Sequence, residues 1–168
     1  MVARDTVEAA CDNVAERRRQ SACAKQRYAL SPPLLCRNEH SCTDAYRACN
    51  SRANRALSAG TFPAPVLVLI EEDIATTLPS LHLFIPERGP LYQDLKDMLC
   101  AWVVARSDEG LGYVPGVAKI AAMILLNMAP QPGFIVMRNL LERHCLRSFY
   151  GGEACKDDVS DLLPHLFL

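Results

Sequence analysis

A chain of 168 residues, half of them hydrophobic and 22% charged, has apolar material for one core and too little length for two comfortable domains, which excludes a disordered tail. The net charge of −1 gives no overall pull toward nucleic acid. Its distribution is uneven: residues 1–60 hold 10 Lys and Arg against 6 Asp and Glu, and residues 61–168 hold 8 against 13.

Residues 1–43 show weak periodicity and read as a flexible basic head. Arg17-Arg18-Arg19 is a solvated helix face rather than a patch for nucleic acid, since no further basic cluster follows it. Ser31-Pro32-Pro33 breaks any helix. The N-terminus carries charge early and has no apolar stretch before a small-residue cleavage site, so no secretory leader is expected and the cytosol is the default compartment. Order is expected from Asp44, with residues 44–168 as the helical domain. Asp44 is placed to cap a helix over Ala45–Ser58 that ends at Gly60. Pro65 suits a first helical position, and Val66, Leu69, Ile70, Asp73, Ile74 and Thr77 share one face of the helix that follows.

The clearest helix opens at Gly89-Pro90. Leu91, Leu95, Met98, Leu99, Trp102 and Val103 recur at amphipathic spacing, and Arg106 lies in the last turn, where a cation is favoured. Val117–Met128 is apolar on nearly every side apart from Lys119 and Asn127 and is expected as the central helix. A final helix runs from Gln131 to His144 with Phe134, Met137, Leu140 and Leu141 inward. No hairpin, alternating run or repeat is present, so the fold class is all-α. The longest strongly apolar run, Ile120–Leu126, is far short of the ~20 residues of a membrane span.

Eight cysteines fall without a single C-x-x-C pair. Cys36, His40, Cys42 and Cys49 form the densest group, and their gaps match no common zinc framework. The cysteines are read as small hydrophobes, with no metal and no cofactor.

Two polar interruptions flank the clearest helix. One is Ile70-Glu71-Glu72-Asp73-Ile74-Ala75-Thr76-Thr77-Leu78-Pro79, and the other is Gly112-Tyr113-Val114-Pro115-Gly116. Together they resemble the TBC-domain family, activators of Rab-type GTPases. Ile70, Asp73, Thr77 and Pro79 match the family motif I-x-x-D-x-x-R-T-x-P in register. Gly112, Tyr113 and Gly116 match its motif G-Y-x-Q-G, which precedes an apolar helix. Leu81-His82-Leu83-Phe84, Gly89-Pro90-Leu91, Arg106-Ser107-Asp108, Ala122–Met128, Asn139-Leu140-Leu141 and Ser148-Phe149-Tyr150 also look like the family. The likeness covers roughly Asp44 to Glu153.

The resemblance implies a helical array like the N-terminal subdomain of a TBC domain, and a GTP-bound Rab-type GTPase as partner. It also implies a regulator in vesicle trafficking, cytoplasmic or peripheral on endomembranes through that GTPase. Asp73, Thr77, Tyr113 and Gly116 become candidate GTPase-binding positions. Structural roles compete for the first three: a cap or local hydrogen bond for Asp73, a helix back-bond for Thr77 and core packing for Tyr113.

Two departures change the expectation. The family's arginine finger position holds Thr76, and its glutamine position holds Pro115. Thr76 has no charge, and Pro115 has neither a side-chain amide nor a backbone N–H to orient water. A finger arginine is worth about 10³–10⁵ in rate, so impaired activation follows from the resemblance, and no residue of this chain is expected to be catalytic. Arg88, in a solvated turn, and Arg106, at a helix end, are poorly placed to substitute. Complete family domains contain a second helical half that this chain does not match, which implies truncation, an exposed apolar face and self-association. The same residues also admit a helical interaction module that binds no GTPase, or an incomplete gene product.

Overall fold

Tyr92 to Ser107 carries the longest stripe of large apolar residues, and it becomes the axis of the molecule. In a computed structural model the structure describes residues 11–16, 39–107, 112–142, 146 and 150. Five helices are laid out in chain order: α1 (Glu39–Ser58), α2 (Ala64–Ala75), α3 (Tyr92–Ser107), α4 (Val117–Leu125) and α5 (Pro130–Glu142), with a 3₁₀ turn at Pro79–Leu81. Residues 11–16 are also helical, and Val14 packs into the core. Among the described residues there is no strand, as the all-α reading requires.

Helix α3 touches all four of the others. Leu95, Met98, Leu99 and Trp102 are fully buried, and Leu91 and Val103 nearly so, so the stripe read from the sequence is the core of the fold. The central position belongs to α3 and not, as the apolar run suggested, to α4. In α4 the buried residues are Val117, Ala118, Ala121, Ala122 and Leu125, while Lys119 and Met123 face outward. The physical reason is side-chain size. Three alanines let α4 approach its neighbours closely along one face, and the remaining apolar residues need not be covered.

Three other boundaries and faces differ from expectation. Helix α1 begins at Glu39, so Asp44 lies inside it rather than capping it, on the surface and 3.8 Å from Arg47. Just after this extension, Tyr46 is buried against Phe134 of α5, ring centroids 5.2 Å apart, a tertiary contact that anchors this end of the helix. On α2, Ile70, Asp73 and Ile74 are buried, with Thr77 just beyond the helix end, whereas Leu69 is 39% exposed beside Val68 at 52%. Arg106 lies in the last turn of α3 as expected, and there it is only 2% exposed, a burial that the helix-end reading does not include.

Glycines close two of the junctions. Gly60 ends α1 at φ +68°, and Thr61 N–H returns to Ala56 O at 2.9 Å. Gly89 packs against the Leu83 and Ile85 backbone in the turn before α3, where Leu91 N–H donates to Leu83 O at 3.0 Å. The proposed flexible head falls largely outside the described residues, as do Cys36, His144 and the apolar C-terminal stretch. Side chains of residues 39–43, which include His40 and Cys42, are outside them too. Of the cysteines within, Cys100 belongs to the core and Cys11 and Cys49 pack against it. Burial pushes the Cys100 thiol up to about 12. No described helix is long and apolar enough to cross a membrane.

Candidate functional site

Helix α4 starts with a deficit. Its N-cap is Gly116, which has no side chain to accept the orphan N–H groups of the first turn. The missing acceptor comes from another helix. The Asp73 carboxylate, at the end of α2, receives the Gly116 N–H at 2.8 Å and the Ala118 N–H at 3.1 Å on the same oxygen, Oδ2. The Tyr113 hydroxyl donates to that oxygen too, at 2.6 Å. A negative group at a helix N-terminus is favoured by the exposed peptide dipoles as well as by the bonds themselves. Asp73 therefore ties the loop Gly112–Gly116 and the start of α4 to the last turn of α2.

That last turn is itself held by side chains. Thr77 Oγ1 donates to Asp73 O at 2.7 Å and Thr76 Oγ1 donates to the same carbonyl at 3.0 Å. The backbone adds Thr76 N–H to Glu72 O and Thr77 N–H to Ile74 O. Thr77 is 1% exposed, so its hydroxyl serves the turn, as the back-bond reading anticipated. For Asp73 the expectation was a cap or a local hydrogen bond; its carboxylate caps α4, and in doing so the acceptor oxygen bridges two segments about forty positions apart in the chain. Gly116 has φ +94°, a conformation that a side chain would strain.

Tyr113 is half-buried, and its ring meets that of Trp102 in a T-shaped contact, centroids 6.2 Å apart and planes at 80°. Burial, then the bond to Asp73 and the negative charge of that carboxylate, hold its phenol well above the usual tyrosine range. Beyond Trp102, the Arg106 guanidinium lies 4.3 Å from the indole centroid. Neither Trp102 nor Arg106 was picked out from the sequence as part of the site. Their i, i+4 spacing, an aromatic followed by a cation on one helix face, was the available signal.

Thr76 and Pro115, which the resemblance would put at the two finger positions, lie on the same assembly. Thr76 caps α2 and is exposed, and Pro115 is exposed in the loop that Asp73 holds. Arg106 is buried under Trp102, and Arg88 sits exposed in the turn after Pro86. A small apolar cavity of about 150 Å³ adjoins the end of α2, with Ala75, Leu78, Pro79 and Phe84 among its walls. A nearby ion pair, Lys96 to Glu71 at 2.7 Å, clips α3 to α2. Desolvation pulls the Lys96 ammonium down, and the Glu71 hydrogen bond with neighbouring negative groups outweighs it, for a net upward shift.

These features define a class: an all-α scaffold in which a buried carboxylate at one helix end pins a glycine-flanked aromatic loop at the mouth of another helix. Residues 32–159 match the Rab-GTPase-TBC domain model, and the chain belongs to that family. It is 42% identical over 84 residues to drainin of Dictyostelium discoideum, a stretch covering 50% of this chain and 18% of drainin. Over 84 residues it is 40% identical to TBC1 domain family member 12 of Rattus norvegicus and 38% to TBC1 domain family member 14 of Homo sapiens. Each of those matches covers 50% of this chain and 12% of the relative. The matched stretch thus corresponds to a small part of each relative's length.

Proposed function

We propose that the chain is a regulator that binds a GTP-loaded Rab-type GTPase in vesicle trafficking and activates its hydrolysis weakly or not at all. The reading is carried by one observation. The scaffold around Asp73, Tyr113 and Gly116 is complete, while the two exposed positions it presents hold Thr76 and Pro115. Family membership supplies the partner class, and the GTPase performs its own hydrolysis. Asp73, Thr77, Tyr113 and Gly116 act in this reading by shaping the docking edge, and Thr77 does so from within. The cell location that follows is cytoplasmic, with peripheral attachment to endomembranes through the GTPase. Exposed Val68 and Leu69 support weak self-association as well.

The test is a panel of Rab-type GTPases in two assays. Binding is expected to favour the GTP-loaded over the GDP-loaded form. Single-turnover hydrolysis is expected to rise less than tenfold with the wild-type chain. The Thr76→Arg, Pro115→Gln double variant is expected to stimulate hydrolysis, because it returns a cation and a water-orienting amide to a retained scaffold. Failure of every GTPase to bind would refute the reading, and strong wild-type stimulation would refute its catalytic half.

A further inference from the structure

A continuous series of contacts runs from the end of α3 to the start of α4. The Arg106 guanidinium lies over the Trp102 ring, Trp102 and Tyr113 meet in a T-shaped contact, and the Tyr113 hydroxyl bonds Asp73, which accepts the Gly116 and Ala118 amides. We infer that Arg106 and Trp102 are positioning residues for the loop Gly112–Gly116, setting where the GTPase-facing edge sits without touching the partner. The functional half of this inference rests on the GTPase reading above; the mechanical half does not.

Several observations point the same way. Arg106 is nine-tenths or more buried, at 2% exposed, and Trp102 is fully buried. A charged side chain held at that depth is costly unless its surroundings fix it. A planar guanidinium over an indole face is favoured and orients both groups. The other partner of the indole is the one side chain of the loop that also reaches Asp73. A shift of Trp102 therefore moves the Tyr113 ring, and with it the hydroxyl whose 2.6 Å bond shares Oδ2 with the helix cap. Arg106→Lys keeps the charge and loses the plane. Tyr113→Phe keeps the ring and loses the link to Asp73.

The decisive experiment is a double-mutant cycle read by amide hydrogen exchange at Gly116 and Ala118, in the full chain. Each single substitution is expected to speed exchange at these amides by about tenfold, with amides in the middle of α3 changing little. Because both act through one link, the double variant is expected to exchange no faster than the faster single. Multiplied effects, or no effect of Arg106→Lys, would overturn the inference. Should Arg106→Lys fail to fold, Trp102→Phe replaces it in the same cycle with the same two outcomes. Trp102 is the sole tryptophan, so 5-fluorotryptophan labelling gives a single resonance. That resonance is expected to shift on addition of a GTP-loaded Rab-type GTPase. A coupled cycle with no GTPase-induced shift and no GTPase binding would retain the positioning role and remove the GTPase reading. Binding with an uncoupled cycle would do the reverse.

Discussion

Asp73 concentrates the chemistry of the site in one side chain, and its loss should be felt at two helices together. Asp73→Ala leaves the Gly116 and Ala118 amides and the Tyr113 hydroxyl without their acceptor. Hydrogen bonds to a charged group and loss of a cap together place the cost at about 2–4 kcal/mol. Asp73→Asn, which retains an acceptor oxygen, should lose less. Urea unfolding checks both, and a loss below about 0.5 kcal/mol, the range of inert surface changes, would contradict the bridging role. Tyr113 predicts a pH effect. Its folded pKa is raised, chiefly by burial and by Asp73, while the unfolded value is about 10. The folded state therefore holds this proton more tightly. The stabilisation it gives is complete below about pH 10 and is lost as pH climbs through the folded pKa, at up to about 1.4 kcal/mol per unit. Tyr46 and Cys100 shift the same way, so Tyr113→Phe should flatten the alkaline limb of a stability profile from pH 8 to 11 only in part. An unchanged limb would count against it. At this scale the sequence marked two motifs, holding Asp73, Thr76, Thr77, Tyr113, Pro115 and Gly116, which the fold brings together at Asp73. It did not show that one carboxylate oxygen serves three donors, since bonds across about forty positions leave no periodic trace.

Elements were legible where amphipathic spacing was strong and less so where packing decided. The stripe of α3 follows directly from i, i+4 and i+7 spacing, and all six of its residues are buried. The start of α1 was missed because residues 39–43 carry no apolar rhythm, and α4 was mistaken for the centre because alanine counts as apolar without needing cover. The burial of Arg106 was hidden for a related reason: a cation in a last turn is explained by the helix end alone unless its aromatic neighbour is considered. The turn before α3 yields a prediction of its own. A Cβ at Gly89 would come within 2.7 Å of Leu83 O, Leu83 C and Ile85 N. All three are backbone atoms and cannot swing away as a flexible side chain could. Gly89→Ala should therefore force the turn apart, break the bond from Leu91 N–H to Leu83 O, and cost more than about 2 kcal/mol. Thermal unfolding checks this. Gly60→Ala is the contrast: its Cβ meets nothing within 4 Å, so any loss there comes from positive φ alone and should be about 1 kcal/mol.

For the molecule as a whole, the question is how much apolar surface it leaves uncovered and what that surface is worth. The expectation from the sequence was an extensive open face. Among the described residues, the large hydrophobics left exposed are Val68, Leu69, Leu81 and Met123, at 52, 39, 37 and 53%. Val68 and Leu69 adjoin on α2, opposite the side that buries Ile70 and Ile74 against the core. Burying a few hundred Å² at about 25 cal/mol per Å² contributes several kcal/mol. Association costs about 4–15 kcal/mol in lost freedom before any contact is counted. These magnitudes largely offset each other and leave a surplus of a few kcal/mol at most, so self-association through α2 should be weak, emerging at about millimolar rather than nanomolar concentration. Sedimentation velocity over a concentration series should show a monomer giving way to larger species. Val68→Lys should move that onset upward by tenfold or more, since a charge must then be desolvated in the contact. Its effect on unfolding should stay within about 0.5 kcal/mol, because the side chain is half in solvent. Met123→Lys on α4 separates this contact from generalised stickiness: if it suppresses association as strongly as Val68→Lys, the surface involved is not the face of α2. A strictly monomeric chain at the highest concentration, or one already assembled at nanomolar levels, would show that the balance of burial against lost freedom has been misjudged.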